Sequence, residues 1–333
     1  MVSDLVSVLM PAYNAEKWIK QSIESALKQT WENKEIIIVD DGSRDRTLKI
    51  AKSFESGTVK VVSQNNRGAA TARNRALSLA SGDYIQWLDA DDLLAPDKIA
   101  GQMKAAAGER SKLVLYSSPH GVFYFRHKQA KFVPNSLWQD LSPADWLIIS
   151  MSENMWMTPA GWLVSRALTE KAGPWDERLS MDDDGEYFAR VVAASEKVRF
   201  VRESRCYYRQ SGFQQLSRDM TERASRSLIL STTLRIQNLL ALEKTYRTRG
   251  AALALLQIRL PVFYPEKTEM LERMNALASE LGAELAAPRF GWRSSLLQRL
   301  FGPEKGKGLM TSLRRLRMGT AVKWDEWMSR LGR

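Results

Sequence analysis

Three short apolar runs, each ending on a loop of polar and acidic residues, constrain this chain more than any other feature of its sequence. Leu5 to Met10 leads into Pro11-Ala12-Tyr13-Asn14, Glu35 to Val39 into Asp40-Asp41-Gly42-Ser43, and Tyr84 to Leu88 into Asp89-Ala90-Asp91-Asp92. Helical spacing separates them: Glu16 to Gln29 carries Trp18, Ile19, Ile23, Ala26 and Leu27 on one face, and Gly68 to Ala80 forms another helix after a strand at Val59 to Val62. Ser43 is placed to cap a helix beginning near Asp45. Strands and helices alternating at these lengths predict an α/β fold, a mainly parallel central sheet flanked by helices. In such a sheet ligands bind beyond the carboxyl ends of the strands, so the three polar loops are expected to converge.

The chain then becomes less regular. A strand is expected at Leu113 to Tyr116, a hairpin around His127, a helix from Ser142 to Ser150 with Trp146 inward, a helix from Asp184 to Ala194, and strands at Val198 to Val201 and Cys206 to Arg209. Beyond Arg218 long helical patterns take over, at Glu222 to Tyr246, at Glu266 to Leu285 and after Arg289. The reading is two units: a catalytic domain over residues 1–218 and a basic, all-helical C-terminal appendage over 219–333.

Composition narrows the function classes. One cysteine, Cys206, excludes an intramolecular disulfide, and with only His120 and His127 available there is no zinc ligand set. The first apolar run lacks a basic leader and reads as a strand rather than a signal peptide, and no run of about 18 apolar residues appears. A cytoplasmic protein is expected, peripheral on the inner face of a membrane if its tail binds there. The net charge is +11, and from Arg289 onward eleven Lys or Arg face three acids, so most of the excess belongs to the tail.

The loops carry the chemistry. Asp89, Asp91 and Asp92 repel one another at the end of an apolar strand, which suits a divalent cation or a hydroxyl-rich ligand; the plainer reading has one of them capping a helix near Asp97. Asp40 and Asp41 are weaker evidence, because Asp-Asp-Gly-Ser is also ordinary turn chemistry. Gly68 and the helix start after it offer backbone N–H groups to a phosphate, with Arg73 and Asn74 in the first two turns. A third acidic run, Asp182-Asp183-Asp184 with Glu186, either caps its helix or supplies a general base.

Taken in order, Ser7 to Asn14, Glu35 to Ser43, Asn66-Arg67-Gly68 with Ala72-Arg73-Asn74, Trp87 to Asp92, Gly173 to Glu177 and Asp183 to Tyr187 ending in Arg190 resemble the family 2 inverting glycosyltransferases, which have the GT-A fold. The resemblance runs from Val6 to about Ser217. It implies that Pro11, Ala12, Tyr13 and Asp40 frame the base and ribose of a nucleotide, that Arg73 lies near the diphosphate, and that Asp89 takes a ribose hydroxyl. It also implies that Asp91 holds Mg²⁺ or Mn²⁺ and that Asp184, with Asp183 beside it, is the base. Two residues depart from the family pattern. Gln210 stands where many relatives carry a His after Tyr208-Arg209, and Asp183 is shorter than the usual Glu.

The implied reaction moves a sugar from a nucleoside diphosphate donor, a UDP-sugar, to an acceptor hydroxyl in polysaccharide or lipid-linked saccharide synthesis. The alternative is a non-catalytic nucleotide-sugar-binding scaffold. A nicotinamide-dependent enzyme is disfavoured because Pro11-Ala12-Tyr13 replaces a glycine-rich turn. Trp156 and Trp162 are candidates to stack against an acceptor sugar, or else are core tryptophans. In the tail, Trp292 to Phe301, Leu309 to Met318, and Trp324, Trp327, Met328 and Leu331 make basic amphipathic patterns. These suit an anionic membrane surface, a packed cap or a homo-oligomer contact, and no nucleic-acid motif accompanies them.

Overall fold

The computed structural model describes residues 3–210, 221–264, 266–288, 319, 322–329 and 331. The first half is built from β1 (Val6–Ala12), α1 (Ile19–Leu27), β2 (Lys34–Asp40), α2 (Thr47–Lys52), β3 (Val59–Ser63), α3 (Ala69–Leu79), β4 (Tyr84–Trp87), β5 (Leu93–Leu94), α4 (Lys98–Ala107), β6 (Val114–Ser117), β7 (His120–Phe123) and β8 (Lys131–Phe132). There follow α5 (Pro143–Ser152), β9 (Val164–Ser165), α6 (Arg166–Ala172), α7 (Asp183–Ala194), β10 (Lys197–Phe200), β11 (Cys206–Arg209), α8 (Glu222–Leu242), α9 (Tyr246–Phe263) and α10 (Thr268–Glu280).

The main sheet has the order β3-β2-β1-β4-β9; its first four strands are parallel and β9 runs antiparallel at the edge. The chain steps outward from β1 through β2 to β3, then returns to lay β4 on the other side of β1. That reversal opens a crevice at the carboxyl ends of β1, β2 and β4, where the three polar loops emerge. A second sheet, β5-β11-β7-β8, stands beside the loop after β4, and β10 pairs with β6.

Period-two alternation explains why both faces of the sheet are covered. In β2, Ile36 and Ile38 point into a core shared with Ile19 and Ile23 of α1 and Ile99 and Met103 of α4. Ile37 and Val39 point the other way, into a core with Trp87, Ala72 and Ala76 of α3, Trp146 of α5 and Val191 of α7. That second core continues without a break through Leu228 and Leu239 of α8, Leu255 and Leu256 of α9, and Met270 and Met274 of α10. The expected unit boundary at 218 and the tail segments between Arg289 and Met318 lie outside the described residues.

Two sequence expectations change. The pattern read as one helix from Glu222 to Tyr246 stops at Leu242, and a further helix, α9, begins at Tyr246. The turn between them is fixed by Thr248, whose Oγ1 accepts from the Thr245 amide at 3.1 Å and donates to the Glu243 carbonyl at 3.0 Å. Ser43 does not cap α2. The N-cap is Arg46, with no side-chain capping bond; just before it Asp45 accepts from the Thr47 amide at 2.9 Å, while the Ser43 hydroxyl accepts from Asn14 N.

Candidate active site

The loops after β1 and β2 are tied to each other before any ligand enters. Asp41 N donates to the Ala12 carbonyl at 2.8 Å, Asn14 N to Ser43 Oγ at 2.9 Å, and Arg44 N to Asn14 Oδ1 at 2.9 Å. Gly42 allows the close approach: its φ of +71° is left-handed, and a Cβ there would sit 2.8 Å from Asn66 N. Pro11, Ala12 and Asp40 are thereby brought side by side, with Ala12 opposite Asp40 in the register, and Tyr13 stands half-exposed beside them. Asp40 is buried. Its Oδ2 accepts from Ser43 N and Ser63 Oγ, both at 3.2 Å, but its Oδ1 has no hydrogen-bond partner among the described residues. An orphaned buried acceptor is costly, so it marks a place where a donor from a ligand would be welcome.

Asp41 ties the loop after β2 to the approach to α3: its Oδ1 accepts from Arg67 N at 3.0 Å and its Oδ2 from Gly68 N at 2.8 Å, the two amides just ahead of the helix.

Arg73, one turn into α3, organises the centre. It is nearly buried, with one terminal nitrogen 2.9 Å from Asp89 Oδ1 and the other 2.5 Å from Asp183 Oδ2, and its guanidinium lies 4.3 Å from the centre of the Trp175 ring. Both terminal nitrogens thus contact carboxylates, so Arg73 joins the loop after β4 to the start of α7. Asn74 reinforces the same closure: it donates to the Trp175 carbonyl at 2.9 Å and accepts from the Trp175 amide at 2.8 Å.

The acids after β4 divide their tasks. Asp92 is buried, accepting from Thr158 Oγ1 at 3.0 Å and from Arg209 N at 2.8 Å, and burial, then Asp91 and Asp89, push its pKa well above the usual carboxylate range. Asp89 belongs to Arg73. Asp97, at the N-cap of α4, makes no side-chain capping bond. Asp91 is half-buried, and its carbonyl accepts from Arg209 Nε at 2.7 Å.

Arg209 went unrecognised in the sequence. It is fully buried, also donates to Gln21 and Tyr124, and lies 4.4 Å from the ring centres of Trp18 and of Phe123. Burial lowers its pKa to about 10 against the pull of Asp91 and Asp92. Its preceding residue, Tyr208, is the common neighbour: burial, then Asp92, Asp91, Asp184 and Asp89 in that order, disfavour its phenolate. One phenol therefore senses both acidic runs.

At the start of α7, Asp184 is part-buried, and its pKa rises to about 7 through burial first, then through Asp183, Asp182 and Asp89, with Arg73 opposing. Such a carboxylate is poised to take a proton near neutrality. The tryptophans separate. Trp162 is fully buried, stacked on Phe188 with ring centres 5.2 Å apart, and so takes no part in an acceptor surface. Trp156 is 46% exposed, backed by His120 at 4.8 Å and Tyr208 at 5.0 Å.

Comparison with known proteins agrees with this geometry. The family model described as glycosyl transferase family 2 matches residues 7–139. The glycosyltransferase GlyG of Streptococcus pneumoniae is 37% identical over 37% of this chain and 44% of its own. An Escherichia coli relative named UDP-Glc:alpha-D-GlcNAc-diphosphoundecaprenol beta-1,3-glucosyltransferase is 44% identical over 30% of this chain and 40% of its own. This chain therefore spans less than half the length of these curated relatives. In fold it is similar to S. aureus TarS 1-349 in complex with UDP-GlcNAc, with a TM-score of 0.67 and 18% identity, over 93% of this chain and 91% of that one. The architecture is thus the GT-A type, and residues 7–139 of this chain are similar to glycosyl transferase family 2.

Proposed function

We propose that this chain transfers a glycosyl group from a nucleoside diphosphate sugar, a UDP-sugar, to an acceptor hydroxyl with inversion. The observation that carries the reading is the Arg73 bridge, which gathers Asp89 and Asp183 from opposite walls of one crevice. Asp40 and the exposed ring of Tyr13 would receive the base and ribose, with Pro11 and Ala12 as the floor. Asp184 would accept the proton of the acceptor hydroxyl as its oxygen attacks the anomeric carbon from the face opposite the nucleotide. Asp183 would stay beside it, held by Arg73.

Among the described residues no three His, Cys, Asp or Glu are grouped to hold a metal ion. Asp91, half-buried on the loop after β4, would hold Mg²⁺ or Mn²⁺ beside the diphosphate of the donor. When bound, the ion would neutralise charge on the departing diphosphate. Arg209 would hold the Asp91 backbone in place. Trp156 would offer its exposed ring to the acceptor sugar, a saccharide or a lipid-linked saccharide like the acceptor named for the E. coli relative.

The end of the chain supports a peripheral place on an anionic membrane. Asp325, in the helical stretch 322–329, accepts from Phe125 N at 2.8 Å and pairs with Arg126 at 2.6 Å, which leaves Trp324 and Trp327 outward and 61% and 51% exposed. No helix among the described residues is long and apolar enough to cross a membrane.

Asp184→Asn tests the central claim. Transfer should vanish while stabilisation by UDP with Mg²⁺ or Mn²⁺ persists in thermal melts across a panel of nucleotide sugars; unchanged turnover would reject the assignment.

A further inference from the structure

Asp182 stands at the N-cap of α7 yet does not cap it. An aspartate there ordinarily turns its carboxylate onto the first free amides of its own helix. Here the carboxylate is taken instead by side chains of α8 and α9. Ser231 Oγ donates to Asp182 Oδ2 at 2.6 Å and lies 3.0 Å from the Asp182 carbonyl; Arg235 Nη1 reaches Oδ2 at 3.2 Å, and Arg259 Nη2 reaches Oδ1 at 3.4 Å. One turn earlier on α8, Ser227 Oγ accepts from Ser180 N and Met181 N, both at 2.9 Å, and donates to the Met181 carbonyl at 2.7 Å. Residues 180–182 are gripped by two serines and two arginines.

The grip is built rather than incidental. Ser227, Ser231 and Arg235 are all at least nine-tenths buried, and the Nε atoms of Arg235 and Arg259 are buried without a hydrogen-bond partner among the described residues. One buried and one part-buried guanidinium aimed at one carboxylate make that carboxylate hard to replace. The backbone of Asp182 is left-handed, with φ of 58°, a region that residues with a Cβ enter rarely. Gly185 is the space for it: a Cβ at Gly185 would lie 2.6 Å from Asp182 Oδ1. The strained turn then hands the chain directly to Asp183 and Asp184.

We infer that Asp182 is a positioning residue, through which Ser231, Arg235 and Arg259 of the C-terminal helices set the place of Asp184 in the crevice. This rests on the proposed transferase function, with Asp184 as base. The helices after β11 are then part of the catalytic apparatus, acting through a residue that touches neither donor nor acceptor. Displacement of a base by about an ångström can cost on the order of 10²-fold in rate.

The test uses the full chain carrying Ser231→Ala or Arg259→Gln, with Arg259→Lys as the conservative rescue. Each of the first two variants should lower kcat at least about tenfold and leave the affinity for UDP with Mg²⁺ within about twofold. Arg259→Lys should recover most of kcat. Hydrogen exchange supplies a readout independent of turnover: the amides of Gly185 and Glu186 should exchange faster in Ser231→Ala, while those in the middle of α8 keep their protection. Wild-type exchange at those two amides would overturn the inference, as would a kcat that stays within twofold or falls only in proportion to UDP affinity. If the wild-type chain transfers no sugar, the proposed function fails, and the exchange result still decides whether the grip exists.

Discussion

The turn after β4 and the turn before α7 each carry three aspartates, and the two triplets are put together alike. In each, one acid is pulled into the scaffold: Asp92 by Thr158 and Arg209, Asp182 by Ser231, Arg235 and Arg259. In each, a second acid pairs with Arg73, Asp89 on one side and Asp183 on the other. The third, Asp91 or Asp184, is the one assigned to chemistry. The anchors differ in kind. Asp182 faces two guanidiniums, and although burial pushes its pKa up, Arg235 and Arg259 bring it below the usual range; Asp92 has neutral donors near it and is pushed well above. One triplet is thus anchored by a fixed negative charge and the other by a carboxyl that favours its proton.

The comparison can be broken most sharply at its third members. Asp91→Asn should cost more than about 10²-fold in kcat/KM, since cation-assisted stabilisation of a leaving diphosphate is worth several kcal/mol. Asp92→Asn mimics a neutral carboxyl and should leave kcat within a few-fold, with a stability loss of about 1 kcal/mol in urea unfolding. Equal effects of the two would dissolve the division of labour.

Next in size is the link between the triplets. Arg73→Met should cost about 3 kcal/mol of stability, because it leaves two carboxylates facing each other in a largely buried place. Chemical unfolding measures that loss, and transfer should fall with it by more than tenfold.

A smaller effect concerns pH. A carboxyl whose folded pKa is raised to about 7 by burial, Asp183, Asp182 and Asp89, against Arg73, binds its proton more tightly folded than unfolded. Its contribution to stability is therefore complete at acid pH and is lost as pH rises through about 7, whereas the base form needed for transfer appears over the same range. kcat/KM should climb with a midpoint near 7, and Asp183→Asn should move that midpoint toward acid. The smallest effect is expected at Trp156→Ala, which should raise acceptor KM by about three- to tenfold with donor KM unchanged, given the ~0.5–1.5 kcal/mol worth of aromatic stacking.

How far the sequence disclosed this depends on the range of the interaction. The ends of β1, β2 and β4 were legible because an apolar run that stops at polar residues is a local signal, and Asp40, Asp89 and Asp91 stand at those ends; Asp184 was singled out by the resemblance alone. Asp41, Arg209 and Asp182 were not. The partners of Asp41 lie 26 and 27 residues away, Arg209 N meets Asp92 across 117 positions, and Arg235 meets Asp182 across 53. No spacing rule reaches so far. Trp162 shows the converse limit: a tryptophan near loop residues reads the same whether it lines a cleft or, as here, fills the core against Phe188. The break between α8 and α9 did leave a local trace in Thr245 and Thr248, masked by leucines continuing at helical spacing on both sides.

The Arg73 bridge spans 110 positions and crosses the end of the family match at residue 139. A hybrid that joined the first 139 residues of this chain to the remainder of another would therefore pair this arginine with a foreign carboxylate. A glutamate supplied there is longer by one methylene, and it would have to fold back to reach the same nitrogen. Exchange of sugar or acceptor preference between such proteins is better attempted by moving α3 and the start of α7 together.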